Sequence, residues 1–117
     1  MAKENQNRII YKGNAIVLPF FVENVANLVG YKAYWKLMQG GTTKLLKSTE
    51  HTPATITISG TIVYVTLAST DTDYSSSITA GEYDHELLLI DGDDKPHTAT
   101  GSSTITVKDT LIRSADL

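Results

Sequence analysis

The residues with the most chemical potential in this chain are three histidines, a short carboxylate run and two serine clusters. His51, His85 and His97 are separated by long stretches, and none has a metal-like partner at the spacing of a known ligand motif. His85 is in phase with Tyr83 and Leu87, so it is expected to point at the core or its rim as a hydrogen-bonded histidine. Asp91-Gly-Asp-Asp94 offers carboxylates that suit a hard cation such as calcium. It lacks the closing glutamate of the EF-hand loop, whose ligands spread over about twelve residues, and it reads better as a solvated hairpin turn. Ser75-Ser76-Ser77 and Ser102-Ser103 have no nucleophile-elbow setting, and no glycine-rich phosphate cradle occurs. Without a paired acid–base or metal set, the sequence predicts a non-enzymatic protein that uses no cofactor and no metal.

The elements that carry these residues are set by a beat of two. Residues 78–91 read ITAGEYDHELLLID, with Tyr83, Leu87 and Leu89 on one face and Asp84 and Glu86 on the other. Side chains alternate across a strand, so such a segment serves one face of a packed sheet. The same beat runs through 8–12 (RIIYK), 15–23 (AIVLPFFVE), 31–38 (YKAYWKLM), 43–48 (TKLLKS), 54–59 (ATITIS), 61–68 (TIVYVTLA) and 95–108. Gly13-Asn14, Gly30, Gly40-Gly41, Gly60 and Gly92-Asp93-Asp94 supply the turns. The link at Gly60 is short for a standard hairpin turn. Pro19 cannot donate to a ladder, so a bulge or an outward-facing break is expected there. The lysines of TKLLKS are expected to guard a sheet edge. Residues 69–75 are the one plausible helical turn, with Ser69 as its cap and Asp71 near its positive end. Roughly seven to eight short strands and almost no helix predict an all-β, immunoglobulin-like two-sheet antiparallel sandwich, with a small closed barrel as the alternative.

The 117 residues suit one domain, divided as a loose arm over 1–7, the sandwich over 8–108 and a tail over 109–117. The chain has no cysteine, which excludes a disulfide frame and thiolate metal sites. Ten basic and thirteen acidic residues give a net charge of −3, so there is no bulk attraction to nucleic acid or to an anionic membrane. MAKENQNR lacks the apolar core of a signal peptide, and the apolar run 15–22 falls short of the roughly 20 residues of a membrane helix. A soluble protein is expected.

Trp35, mid-strand, is placed like the core tryptophan of an immunoglobulin sandwich. Tyr83, after Ala-Gly-Glu, is placed like a tyrosine corner. Both are expected to be structural core. The segment 15–23 is apolar on both faces, with Leu18 and Phe20 inward and Val17 and Phe21 outward. In the usual sandwich order its sheet neighbour carries Ile62 and Tyr64 on the same outer side. Val17, Phe21, Ile62 and Tyr64 are therefore the candidate protein interface, since contiguous exposed apolar patches mark interaction sites. A phase error around Pro19, or a loop or tail folded over these residues, is the alternative. Burying a few hundred Å² at roughly 25 cal/mol per Å² makes one such contact weak and many copies strong. Tyr31, Tyr34, Trp35 and Tyr74 would stack sugars if exposed, which keeps a carbohydrate-binding module as a further reading.

The order KGN-AIVLPFFV, tryptophan strand, TITISGTIVYVTLASTDT, ITAGEYDHELLLIDGDDKPHTATGSSTITVKDTLIR resembles the immunoglobulin-like domains of tailed-phage and prophage structural proteins. Among them is the N-terminal domain of the baseplate upper protein family. The matching places are Gly60, Thr72, Ala80-Gly81-Glu82-Tyr83, Asp91-Gly92 and Arg113, within residues 8–113. The resemblance implies a virion component made in the host cytoplasm and present in multiple copies in a symmetric assembly. Its partners would be other virion structural proteins at the tail, baseplate or head–tail region. A capsid decoration or cement protein is the alternative on the same fold. The family brings no catalytic residues.

Overall fold

The computed structural model describes residues 8–23, 25–72, 78–99 and 103–109. They form β1 (Arg8–Tyr11), β2 (Ile16–Phe21), β3 (Lys32–Gln39), β4 (Thr42–Ser48), β5 (Ile56–Ser59), β6 (Ile62–Leu67), β7 (Gly81–Ile90), β8 (Pro96–Thr98) and β9 (Ser103–Lys108). One turn of 3-10 helix, Ser69–Asp71, follows β6. The expected arm over 1–7 and all of the expected tail beyond Asp109 lie outside the described residues.

Hydrogen bonding sorts the strands into two sheets. The larger runs β1-β9-β7-β3-β4, with β8 also paired to β7; the smaller runs β2-β6-β5. The chain changes sheet after β1, after β2, after β4 and after β6, and the two inner faces pack as an immunoglobulin-like sandwich. β1 joins β9 in parallel, while the other described pairs are antiparallel.

Turn chemistry explains the hairpins. Gly40 and Gly41 both have positive φ between the paired residues Gln39 and Thr42, the geometry of a two-residue primed turn. At Gly60 the link is not too short after all. Ser59 pairs with Ile62, so Gly60 and Thr61 form a two-residue loop with positive φ at its first position.

Three expectations need correction, and the two alternatives left open at Pro19 are decided. The last strand is two strands. Leu88 pairs with Thr98 but His85 pairs with Ser103, three steps along β7 against five along its partner. An excess of two residues keeps the inward face inward, because strand side chains repeat every two. No bulge occurs at Pro19, and the β2–β6 register runs unbroken through Pro19 and Tyr64. Val22 donates to Thr61, so even-numbered residues of β2 face β6 and Pro19 faces the outer edge, where its missing N–H breaks no ladder bond. Finally, Ala68, not Ser69, is the cap position of the helical turn. The Asp71 carboxylate accepts the Ala68 N–H at 2.8 Å and receives the Lys47 ammonium at 2.8 Å. Lys47 thus turns inward rather than guarding the edge; residues 73–75 of the expected turn lie outside the described residues.

The core is centred on Trp35, which is fully buried. Its indole Nε1–H donates to Nδ1 of buried His85 at 3.2 Å, and the Phe20 ring stands 5.8 Å from the imidazole. Tyr83 sends its hydroxyl to the Thr79 carbonyl at 2.8 Å and accepts the Thr79 N–H at 2.9 Å, a tyrosine corner. In disulfide-framed immunoglobulin domains that tyrosine stands two residues before the second cysteine. In this chain the place is held by His85. At the other end of β7, Asp91 Oδ1 accepts the N–H groups of Asp93 and Lys95 at 2.8 and 3.0 Å, and its Oδ2 meets His97 Nε2 at 2.8 Å.

Two predictions follow from these bonds. Tyr83→Phe removes both hydroxyl contacts and is expected to lower stability by about 1–2 kcal/mol in chemical denaturation. The His97 hydrogen bond, then the Lys95 amide, hold the Asp91 carboxyl below its usual 3.8; burial opposes them, and the Asp93 amide adds a smaller lowering. The unfolded chain therefore takes up this proton first as pH falls. The contribution of Asp91 is complete above pH 3.8 and is lost as pH drops through the lower folded value. Amide exchange at Asp93 and Lys95, corrected for intrinsic rates, is expected to speed up in that acidic window before exchange in β3 does.

Candidate docking face

The outer side of the smaller sheet is built by three strands with alternate residues turned inward. β2 presents Val17, Pro19 and Phe21; β6 presents Ile62, Tyr64 and Thr66; β5 presents Thr57 and Ser59. Register places Ile62 between Phe21 and Ser59, and Tyr64 between Pro19 and Thr57. Val17 is 55% exposed and Phe21 57%, while Pro19, Ile62 and Tyr64 are half-buried. The four residues singled out by alternation thus lie on one contiguous face, and Pro19 joins them.

This face carries no ionisable side chain along β2, β5 or β6 except the phenol of Tyr64. The outer side of the larger sheet is different. Lys32 and Lys36 on β3, Glu82, Asp84 and Glu86 on β7, and Lys108 on β9 are all exposed there, with Lys36 paired across from Glu86. A partner covering the smaller sheet desolvates no full charge, whereas a partner covering the larger one desolvates several. The larger sheet does carry exposed apolar side chains at its margins: Ile9 and Tyr11 on β1 and Leu46 on β4.

Two further features shape the neutral face. Val29, 85% exposed, sits in the loop after β2, and that loop is tied to the β5–β6 turn by the Leu28 N–H to Gly60 carbonyl bond. With Leu28, Tyr31, Thr49 and Ile58 it lines a cavity beside that turn, and alternation gave no signal for it because it lies in a loop. At the outer edge of β2 the Arg8 guanidinium bonds the Pro19 carbonyl and stacks 4.4 Å from the Phe20 ring centre. Burial lowers the Arg8 pKa from its ordinary value, and the group stays charged. Proline and a capped carbonyl at mid-strand oppose strand addition at this edge.

The remaining candidate chemistry is dispersed. His85 is in the core, His97 is on Asp91, and His51 Nδ1 lies 3.0 Å from Thr55 Oγ1. Ser103 pairs opposite His85 and is buried with it. Among the described residues no three His, Asp or Glu side chains are grouped to hold a metal ion. The Asp91 carboxylate is engaged by two backbone amides and His97, as a turn requires. Of the aromatic residues considered for sugars, Trp35 is buried with its N–H bonded, Tyr31 is half-buried with its ring 6.5 Å from that of His97, Tyr34 is half-buried, and Tyr74 is outside the described residues. No described helix is long and apolar enough to cross a membrane.

No family model matches the chain, and no curated protein matches it. Solved structures with a similar course of the backbone include a candidate glycoside hydrolase from Bacteroides vulgatus, at 13% identity and a TM-score of 0.49. That match covers 90% of this chain but only 17% of the other, so this chain spans about a sixth of that protein. Also similar are the extracellular domains of the voltage-gated sodium channel β4 subunit, which form parallel homodimers with a role in cell–cell adhesion. They match at 16% identity and a TM-score of 0.44, over 95% of this chain and 96% of that one.

Proposed function

We propose that this chain is a non-enzymatic structural protein of a tailed-phage virion that docks onto other virion proteins through the outer face of its smaller sheet. The observation that carries the docking part is the charge asymmetry of the sandwich. Val17, Pro19, Phe21, Ile62 and Tyr64 form an apolar face free of full charges, and the opposite face is studded with them. The virion part is supported by the resemblance over residues 8–113. Face packing is favoured over strand addition at β2, because Arg8 and Pro19 guard that edge. Val17 and Phe21 expose little over half of their surface, so one contact gives only a few kcal/mol before association costs of similar size. Attachment in many copies, where each contact raises the effective concentration of the next, makes such a face sufficient. Docking outside the capsid as a decoration protein uses the same face and the same arithmetic.

The test is the double variant Phe21→Ser, Tyr64→Ser in a phage that encodes the chain. The purified variant is expected to keep its melting behaviour within a few degrees, since both side chains stand on the outer face, and to be missing from assembled particles by mass spectrometry. Particles that carry the folded variant at normal copy number would overturn the contact assignment. Localisation of the wild-type chain in particle images separates a tail position from a capsid one, and its absence from particles would overturn the virion reading itself.

A further inference from the structure

The outer edge of β5 holds a slot that face docking does not use. The Thr66 N–H bonds the Thr55 carbonyl, and Ser59 pairs with Ile62 across the turn, so odd-numbered residues of β5 bond to β6. Ile56 and Ile58 therefore turn their N–H and C=O groups away from β6, to the edge of the sheet. That edge is blocked at both ends. Ile56 is 1% exposed, next to the bond from the Thr55 N–H to the Ser48 carbonyl, and the Gly60 carbonyl is taken by the Leu28 N–H. Between these ties the backbone groups of Ile58 have no partner among the described residues. Ile58 and Gly60 also line a cavity of about 280 Å³, whose other walls are Leu28, Val29, Tyr31 and Thr49.

A free backbone donor and acceptor beside an apolar cavity fit one residue of an extended peptide. Its main chain exchanges two bonds with Ile58, and its side chain enters the cavity. The volume falls just under the about 300–1,000 Å³ usual for small-molecule sites, which favours a side chain.

We infer that the slot takes the Leu111-Ile112 segment of a second copy of this chain, linking copies head to tail. These two residues, outside the described part, are the first apolar pair beyond β9. β9 ends where β7 begins, since Val107 pairs with Gly81. The slot stands at the other end of β7, where Ile90 pairs with Lys32, the residue after Tyr31. The ten residues of β7 span about 30 Å. Leu111 and Ile112 follow Lys108 by three and four residues and reach about 14 Å at most. A chain thus cannot fill its own slot with them, and a neighbouring copy can. Charge agrees with this occupant. Arg113 follows the pair, and Glu50 adjoins the slot: its carboxylate accepts the Thr49 hydroxyl at 3.0 Å and meets Lys32 only at 3.9 Å. A carboxylate in that setting has room for a further donor.

The segment and the slot are different surfaces, so the contact is heterologous and builds a ring or a filament. It depends neither on the outer face of the smaller sheet nor on the virion reading.

The test adds a synthetic peptide of residues 109–117 to the dilute, isotope-labelled full chain. The amide resonances of Val29, Tyr31 and Ile58 are expected to shift together and to saturate at millimolar peptide. The same peptide carrying Leu111→Ser and Ile112→Ser is expected to leave them in place. Without peptide, concentrating the full chain is expected to move the same amides and to raise its sedimentation mass above that of one chain. The full-length L111S/I112S variant, whose substitutions lie beyond β9, is expected to do neither. Slot amides that ignore the peptide, or that move as far with the serine peptide or with an unrelated apolar peptide of equal length, would overturn the inference. Shifts confined to Val17, Phe21, Ile62 and Tyr64 would overturn it too, since the segment would then sit on the outer face.

Discussion

Two sheets must be held face to face without a covalent tie, and that constraint organises this molecule. The chain has no cysteine, so the cross-link that frames many immunoglobulin domains is replaced by packing and polar contacts. At the centre, Phe20 from the smaller sheet meets His85 and Trp35 from the larger, and the indole–imidazole hydrogen bond fixes the mutual orientation of the last two. A fully satisfied buried polar pair specifies one arrangement among several apolar ones, because any slip leaves an indole donor unpaired at a cost of about 1–3 kcal/mol. The two open sides of the sandwich are closed by basic residues from the outermost strands of the larger sheet. Arg8 of β1 reaches the Pro19 carbonyl and the Phe20 ring; Lys47 of β4 reaches Asp71, just past the end of β6. Both bonds are charge-assisted and link one sheet to the other, which makes them the stronger kind of hydrogen bond.

Much of this was legible because strand alternation is a strict code. Phase alone put Trp35, Tyr83 and His85 inward and Val17, Phe21, Ile62 and Tyr64 outward, and the coordinates place them so. The corner hydrogen bonds of Tyr83 were readable from its position after Ala-Gly-Glu at the start of a late strand. What alternation does not see is an even insertion. The two extra residues between β8 and β9 leave the pattern of inward residues intact, so a single long strand and two short ones look the same in sequence.

An odd insertion misleads in the opposite way. Across from Leu37 and Met38 the register of β4 shifts, with Leu37 facing Leu45 and Met38 facing Thr43, so Lys44 is an extra residue. Phase carried through TKLLKS is broken at that point, and Lys47 turns inward where a lysine in a short terminal strand looks like an edge guard. For Pro19 the sequence left a bulge and an outward-facing break as alternatives, and the second is the one that fits. Whether a strand proline disturbs pairing depends on which neighbour its nitrogen faces, and sequence does not record which side of β2 has a partner. Val29 and the reach of Arg8 across the sandwich lie outside any periodic code.

The uncharged outer face is itself a consequence of where the ties are made. The larger sheet is twice as wide in strands as the smaller, and its outer side carries lysines and acids that a covering partner would have to desolvate. The smaller sheet has β6 as its inner strand and β2 and β5 as flanks, all short and rich in Ile, Val, Thr and Ser. Such residues suit a pleated surface whether or not it is covered. A sheet of that composition tolerates water, yet gains when an apolar partner replaces it, and Arg8 with Pro19 keeps the β2 edge from satisfying itself by pairing with a stray strand. At the β2 edge the proline and the guanidinium thus leave the outer face, not the strand's backbone, as the surface turned to solvent.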